Sequence, residues 1–349
     1  MGESPLWAAA RGLLYWLDAE AGWVYHWDPV SAHFGYRTLE TPVKALVRKT
    51  PLGFAAVTEK GVFFWDADER GSNGGSEQRS GSSARDSGNP AAEIEVSEIE
   101  SPGTGFLPMP GASIRNPTLY YNGAAVDRQG RLLVNTYNET DVATPEGSPS
   151  ASGYPSAEGV RGAPPAGGSL LRIEPSGGRT PGGSTASGFS LVEIDRGLAL
   201  PKGMCLSPDG NRLYLGEMLA GRILVYDYEV ESGDVKNRRV FAEMAEEDGM
   251  PGGLAVDGEG FVWCAHWGGW RVTRYAPDGA VDLVIPLPVS IVTGVGFGGE
   301  GFGDLFVTTA FFGLSDEERE NQPQAGDLFR VRTGTRGIAE SEFMESPNP

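Results

Sequence analysis

No familiar catalytic cassette stands in this sequence. There is no G-x-S-x-G elbow for a nucleophilic serine, no glycine-lysine phosphate loop and no helical His-Glu-x-x-His pair. The chain holds two cysteines, Cys205 and Cys264, without zinc-type spacing. Both lie in apolar runs, which leaves two buried thiols or a disulfide between neighbouring units as the readings. Among three histidines, His266 ends the apolar run Val262–Ala265 with Trp267 beside it, where an imidazole could exchange protons or simply be packed. With 47 Asp and Glu against 28 Lys and Arg, the net charge of −19 argues against a phosphate-backbone partner. Chemistry must therefore come from carboxylates, ammonium groups and amides that the fold gathers.

The elements that would gather them are short strands in a repeat. In Pro201–Tyr228 the apolar runs Met204–Leu206, Leu213–Gly216 and Arg222–Tyr226 are separated by Ser207-Pro208-Asp209-Gly210 and Ala220-Gly221. Each run is too short for a helix and each break is turn chemistry. The same skeleton recurs at Leu6–Pro29, Ala124–Asp141 and Leu254–Gly279. A unit of this kind every 40 to 50 residues or so is the mark of a β-propeller, which uses the whole chain as one closed domain. The 51 glycines and 25 prolines suit many tight turns. The aromatics Trp7, Tyr15, Trp16, Trp23, Tyr25 and Trp27 are expected to fill gaps between blades.

Three stretches, 68–92, 144–168 and 176–187, are dominated by small and polar residues and read as loop insertions in the single domain 1–349. Glu229–Glu247 reads as a charged connection, Val281–Val292 and Phe297–Thr309 as strands of the last blade, and Asp327–Arg332 as a final strand. Ser315 followed by Glu318 predicts a capped helix start. No run approaches the roughly 18 apolar residues of a membrane span, and the first five residues lack the basic and apolar regions of a signal peptide. The expectation is a cytoplasmic protein with a small-molecule partner.

Several stretches carry a resemblance: Gly2–Trp7, Asn122–Thr136, Pro201–Glu229, Pro251–Gly279 and Asp304–Phe329. They resemble the SMP-30/gluconolactonase/luciferin-regenerating family, which implies an all-β, six-bladed propeller hydrolysing lactones with a divalent metal, calcium or zinc, at a central channel. By that resemblance, Glu3 matches the first metal ligand. The second and third ligand positions hold Lys202 and Gly252. Asn122 matches a substrate-binding asparagine, with Tyr120 in place of its arginine companion.

Gly252 offers no donor, and an ammonium at Lys202 repels a cation. The resemblance therefore implies Glu3 and Lys202 as partners, the first a base or charge partner and the second an electrophile, with no metal expected. Were a metal present, Glu217 or Glu139 would have to join Glu3. The substrate group is Asn122, Tyr120, Glu139, Glu217, His266 and Trp267. The first expectation is a lactonase-like enzyme acting on a small carbonyl or lactone substrate. Lysine-assisted C–C bond formation, cleavage or cyclisation in a biosynthetic pathway, and a non-catalytic small-molecule-binding propeller, stand as alternatives.

Overall fold

In the computed structural model the described residues are 1–39, 42–50, 53–58, 61–66, 106–108, 119–138, 167–175 and 189–344. The insertions at 68–92 and 176–187, and 144–166 of the third, lie outside them. Period-2 alternation with short turns leaves each unit one option, an antiparallel meander, and six such meanders form the ring.

Blade 1 is β1 (Gly2–Ala8), β2 (Leu13–Asp18), β3 (Trp23–Trp27) and β4 (Phe34–Thr38). Blade 2 is β5 (Val43–Lys49), β6 (Gly53–Thr58), β7 (Gly61–Asp66) and β8 (Phe106–Pro108), and blade 3 is β9 (Leu119–Val126), β10 (Leu132–Asn138), β11 (Gly168–Pro175) and β12 (Phe189–Leu198). Blade 4 is β13 (Pro201–Leu206), β14 (Arg212–Glu217), β15 (Arg222–Tyr228) and β16 (Val235–Glu243). Blade 5 is β17 (Met250–Val256), β18 (Val262–Trp267), β19 (Arg271–Tyr275) and β20 (Val281–Pro286), and blade 6 is β21 (Val292–Gly298), β22 (Asp304–Thr309) and β23 (Leu328–Val331). The all-β propeller expected from the repeats, with the six blades that the resemblance implied, is the observed fold.

Two expectations are corrected. The charged stretch after Glu229 contains an outer strand, β16, which tolerates polar side chains because it lies at a sheet edge with most residues exposed. Val281–Pro286 closes blade 5 rather than opening blade 6, pairing with β19. The capped helix is present as Asp316–Asn321: Ser315 Oγ accepts from Glu318 N, and the Glu318 carboxylate accepts from Ser315 N at 2.6 Å. Both cysteines are free thiols.

Apolar clusters fill the seams between blades. Leu17, Val24, Leu46 and Phe54 close the first seam; Leu133, Leu170, Leu213 and Leu224 close the third. The blade-1 aromatics are less enclosed than expected. Trp16, Trp23, Tyr25 and Trp27 are half-buried along a groove of about 600 Å³ beside blade 6, the first three packed among Phe34 and Tyr36 and Trp27 edge-on to Phe306.

Buried acids pin the hairpins that aim the inner strands. After β17, Asp257 Oδ1 accepts from the Glu259 and Phe261 amides, while Oδ2 accepts from Trp263 Nε1 at 2.9 Å and Arg274 Nε at 2.8 Å. Asp127 does the same after β9, taking the Gln129 and Arg131 amides, Arg131 Nε and Tyr228 Oη. In blade 4 the shorter Ser207 accepts only from Arg212 N at 3.0 Å and donates to Asp209. Asp257→Ala would strand part of a buried cationic network, so it is expected to lower the unfolding free energy by about 3–5 kcal/mol. Ser207→Ala should cost only about 1 kcal/mol. Denaturant midpoints at unchanged slope measure both.

Candidate functional site

The inner strands β1, β5, β9, β13, β17 and β21 line the channel, and their register fixes what they present to it. One residue beyond Gly2, Val43, Tyr121, Pro201, Pro251 and Val292, which pair at or near the ends of the second strands, stand Glu3, Lys44, Asn122, Lys202, Gly252 and Thr293. A break in register follows in every inner strand, and such bulges re-aim side chains. One level of the ring thus carries an acid, two lysines, an amide, a hydroxyl and a gap. Glu3, Lys44, Asn122 and Lys202 line a cavity of about 290 Å³.

At its wall Lys202 Nζ donates to Glu3 Oε1 at 2.6 Å, the pairing that the resemblance implied. Glu3 is 4% exposed and Lys202 5%. Burial raises the Glu3 pKa above the ordinary 4.5, against the opposing pull of Lys202 and, more weakly, Lys44. Trp267 stands over the ammonium, its ring centroid 5.1 Å from Nζ, and belongs to an apolar cluster with Leu200, Met218, Leu219 and Ile291. The backbone on either side is unusual: Ser4 follows Glu3 at φ 49° and Leu200 precedes Pro201 at φ 50°, left-handed values uncommon for residues with a Cβ. Strain of this kind persists where the surroundings over-determine the geometry.

Glycines let the inner strands come close beneath the pair. A Cβ on Gly123 would stand 2.0 Å from the Lys202 carbonyl oxygen, which instead accepts from Asn135 Nδ2 at 2.7 Å. A Cβ on Gly252 would meet the Thr293 carbonyl oxygen at 2.7 Å. The third ligand position expected from the resemblance is therefore closed by β21 as well as lacking a donor. Among the described residues, no three His, Cys, Asp or Glu side chains gather closely enough to hold a metal ion.

The other sequence candidates divide. Asn122 lines the cavity while its Nδ2 donates to the Pro201 carbonyl at 2.9 Å, tying blade 3 to blade 4. Glu217 is fully buried but outside the cavity lining, accepting from the Ala199 amide and from Arg222 Nε at 2.6 Å. His266 is also outside it: its Nδ1 lies 2.7 Å from the Asp248 carbonyl, and burial lowers its pKa to about 4, so it is neutral near pH 7. Tyr120 stacks on Tyr137 at 5.5 Å within the apolar cluster around Trp267. Glu139 lies outside the described residues. Lys44 was missed, because a lysine inside an apolar strand carries no motif; only its register with Glu3 and Lys202 exposes it.

Six blades whose inner strands hold an acid–ammonium pair against a cavity in the channel define a β-propeller with a candidate site there. The chain belongs to the SMP-30/Gluconolactonase/LRE-like family, whose sequence profile matches residues 1–311. It is 25% identical to regucalcin of Xenopus laevis, over 98% of this chain and 94% of that one. It is 27% identical to a pentonolactonase of Haloferax volcanii, over 97% and 93%. Among solved structures, a luciferin-regenerating enzyme superposes with a TM-score of 0.74 at 19% identity, covering 98% of this chain and 95% of that one.

The ion pair sets a measurable expectation. Lys202→Met leaves a buried carboxylate without its partner and should cost about 3–5 kcal/mol. The double substitution Glu3→Gln with Lys202→Met should cost less than the two singles combined, with a coupling of about 2–3 kcal/mol in a denaturant double-mutant cycle.

Proposed function

We propose that this protein is a lactonase-like hydrolase that opens a small cyclic ester in the channel, with the Lys202 ammonium in the electrophilic role a divalent metal plays elsewhere in the family. The observation that carries this reading is the ammonium held 2.6 Å from a buried carboxylate at the cavity wall. Its support from kinship is the family itself and full-length similarity to a pentonolactonase.

The reaction follows from the groups present. The lactone carbonyl oxygen accepts a hydrogen bond from Lys202, with Lys44 on the same level adding positive potential. Glu3, as carboxylate, takes a proton from a water molecule as its oxygen bonds to the carbonyl carbon, and the displaced electron pair forms an oxyanion facing the ammonium. Collapse breaks the bond to the ring oxygen, which receives the proton from Glu3. A hydroxy acid leaves and the carboxylate is regenerated. Burial that raises the Glu3 pKa makes it a stronger base than a surface glutamate.

A divalent cation fits these residues poorly. Lys202 stands at the position of one ligand and Gly252, closed in by β21, at another. At an effective dielectric of about 20, a dication some 4 Å from an ammonium is opposed by roughly 8 kcal/mol. No step above passes through a metal.

A pH-stat assay on a panel of pentono- and hexono-lactones tests the reading. Lys202→Ala is expected to lower kcat/KM at least about 100-fold while near-UV and far-UV spectra stay native. Wild-type turnover should survive chelator, and one equivalent of tightly bound calcium or zinc in purified protein would overturn the metal-free mechanism. Because Glu3 must be ionised to accept the proton, kcat/KM should rise with pH through a pKa above the ordinary 4.5, and Glu3→Gln should abolish that limb.

A further inference from the structure

The C-terminal segment from Thr333 to Met344 lies beyond the 1–311 matched by the family profile and crosses the end of the channel remote from Trp267. It is fixed on one side to blades 5 and 6. The Gly258 amide donates to the Arg336 carbonyl at 2.8 Å, and the Gly337 amide to the Phe302 carbonyl at 2.9 Å. Gly337 sits so tightly that a Cβ there would meet the Phe297 side chain at 2.1 Å. On the other side it is fixed to blades 2 and 3. Phe343 N donates to the Arg48 carbonyl, Thr50 N to the Phe343 carbonyl and Met344 N to the Gly130 carbonyl. Phe343 is fully buried between Phe64 at 5.2 Å and Phe189 at 5.7 Å.

Between these anchors, Ile338, Ala339, Glu340 and Ser341 form the floor of the cavity. From Ile338 to Glu342, no backbone–backbone bond to a blade is present among the described residues. The span is steadied by Arg48, whose guanidinium donates to the Glu340 carbonyl and pairs with the Glu342 carboxylate at 3.0 Å. Glu340 is solvent-accessible, in the open space of the channel, yet protein surrounds it, and this crowding raises its carboxyl pKa. At the opposite end the Glu3–Lys202 pair lies under Trp267 and its apolar cluster, so the floor is the more weakly held wall.

We propose that residues 333–344 are a releasable floor of the channel: Phe343 withdraws from its seam, the Arg48–Glu342 contact parts, and small molecules gain the cavity from that end. Opening needs few main-chain bonds and one buried side chain to give way, which places it among local rather than global unfolding events. The inference rests on the cavity's geometry and not on the reaction proposed above, so absence of lactone hydrolysis would leave it standing.

Cys205 offers the readout. It lines the cavity, is 9% exposed, and lies near enough to Glu340 to feel its charge. The other cysteine, Cys264, is fully buried and can be removed as Cys264→Ala. In that background, labelling of Cys205 by N-ethylmaleimide should proceed under native conditions. Phe343→Ala should accelerate it about tenfold or more with the near-UV spectrum intact, and Glu342→Gln about threefold. Should Phe343→Ala fail to fold, Glu342→Gln decides, because its side chain is only half-buried. Labelling at the parent's rate in the folded variants, or reaction of Cys205 only in step with global unfolding across a denaturant series, would overturn the proposal.

Discussion

The hydrogen-bonded pair of Glu3 and Lys202 joins residues 199 apart in sequence and blades that stand opposite one another in the ring. Two isolated charges could not be held at this depth, since each loses several kcal/mol of hydration that only its partner restores. The surrounding backbone is arranged around that constraint. Register breaks turn both side chains into the channel, and left-handed residues flank them at Ser4 and Leu200. Gly123 and Gly203 let the neighbouring inner strands close in against the Lys202 strand, where any side chain would collide with backbone.

Outside that level, stability and site are separated along the channel. The hairpins at the far ends of the inner strands carry their own buried polar networks, centred on Asp127 and Asp257, with every acid oxygen accepting hydrogen bonds. These fix strand direction without touching the cavity's polar groups. The C-terminal strap docks on this same end, its Gly258 contact adjoining Asp257 and its Met344 contact adjoining the Asp127 hairpin. A rigid set of turns therefore offers the anchorage for a segment that is itself lightly held.

The fold was legible because a propeller repeats one local solution, apolar alternation broken by Ser-Pro-Asp-Gly or Asp-x-x-Gly turns, and no tertiary effect overrides it. The Glu3–Lys202 meeting was legible only through resemblance, which supplied the long-range proximity that spacing cannot. His266 and Glu217 were placed near the channel from their strand ends and Tyr120 by the resemblance, and all three lie outside the cavity lining. Which face a side chain takes at such places depends on long-range register, and register leaves no composition signal. Their polar atoms or rings are engaged outside the cavity by Asp248, Arg222 and Tyr137. Lys44 was hidden by the opposite effect, a charged residue within an apolar strand, and the strap lacks the period-2 pattern because it meets the blades at isolated bridges, to Asp257 and Lys49, rather than along a strand.

In the proposed reaction a fixed ammonium does work that a metal does elsewhere in the family, and the exchange has consequences. One ammonium carries half the charge of a divalent ion, so alone it would polarise a carbonyl less strongly at the same distance. Lys44, at the matching position of blade 2 and close enough to act on Glu3, brings the ring level to two positive side chains. Unlike a metal, neither can dissociate, and neither demands six to eight oxygen ligands around it. That removes the need for an acid at residue 252, and the space becomes available to close packing of β17 on β21, which the Gly252 contact with Thr293 displays. In that reaction Lys202 and Gly252 act together: the positive charge is carried by the chain itself, and β17 and β21 pack where a metal ligand would otherwise need room.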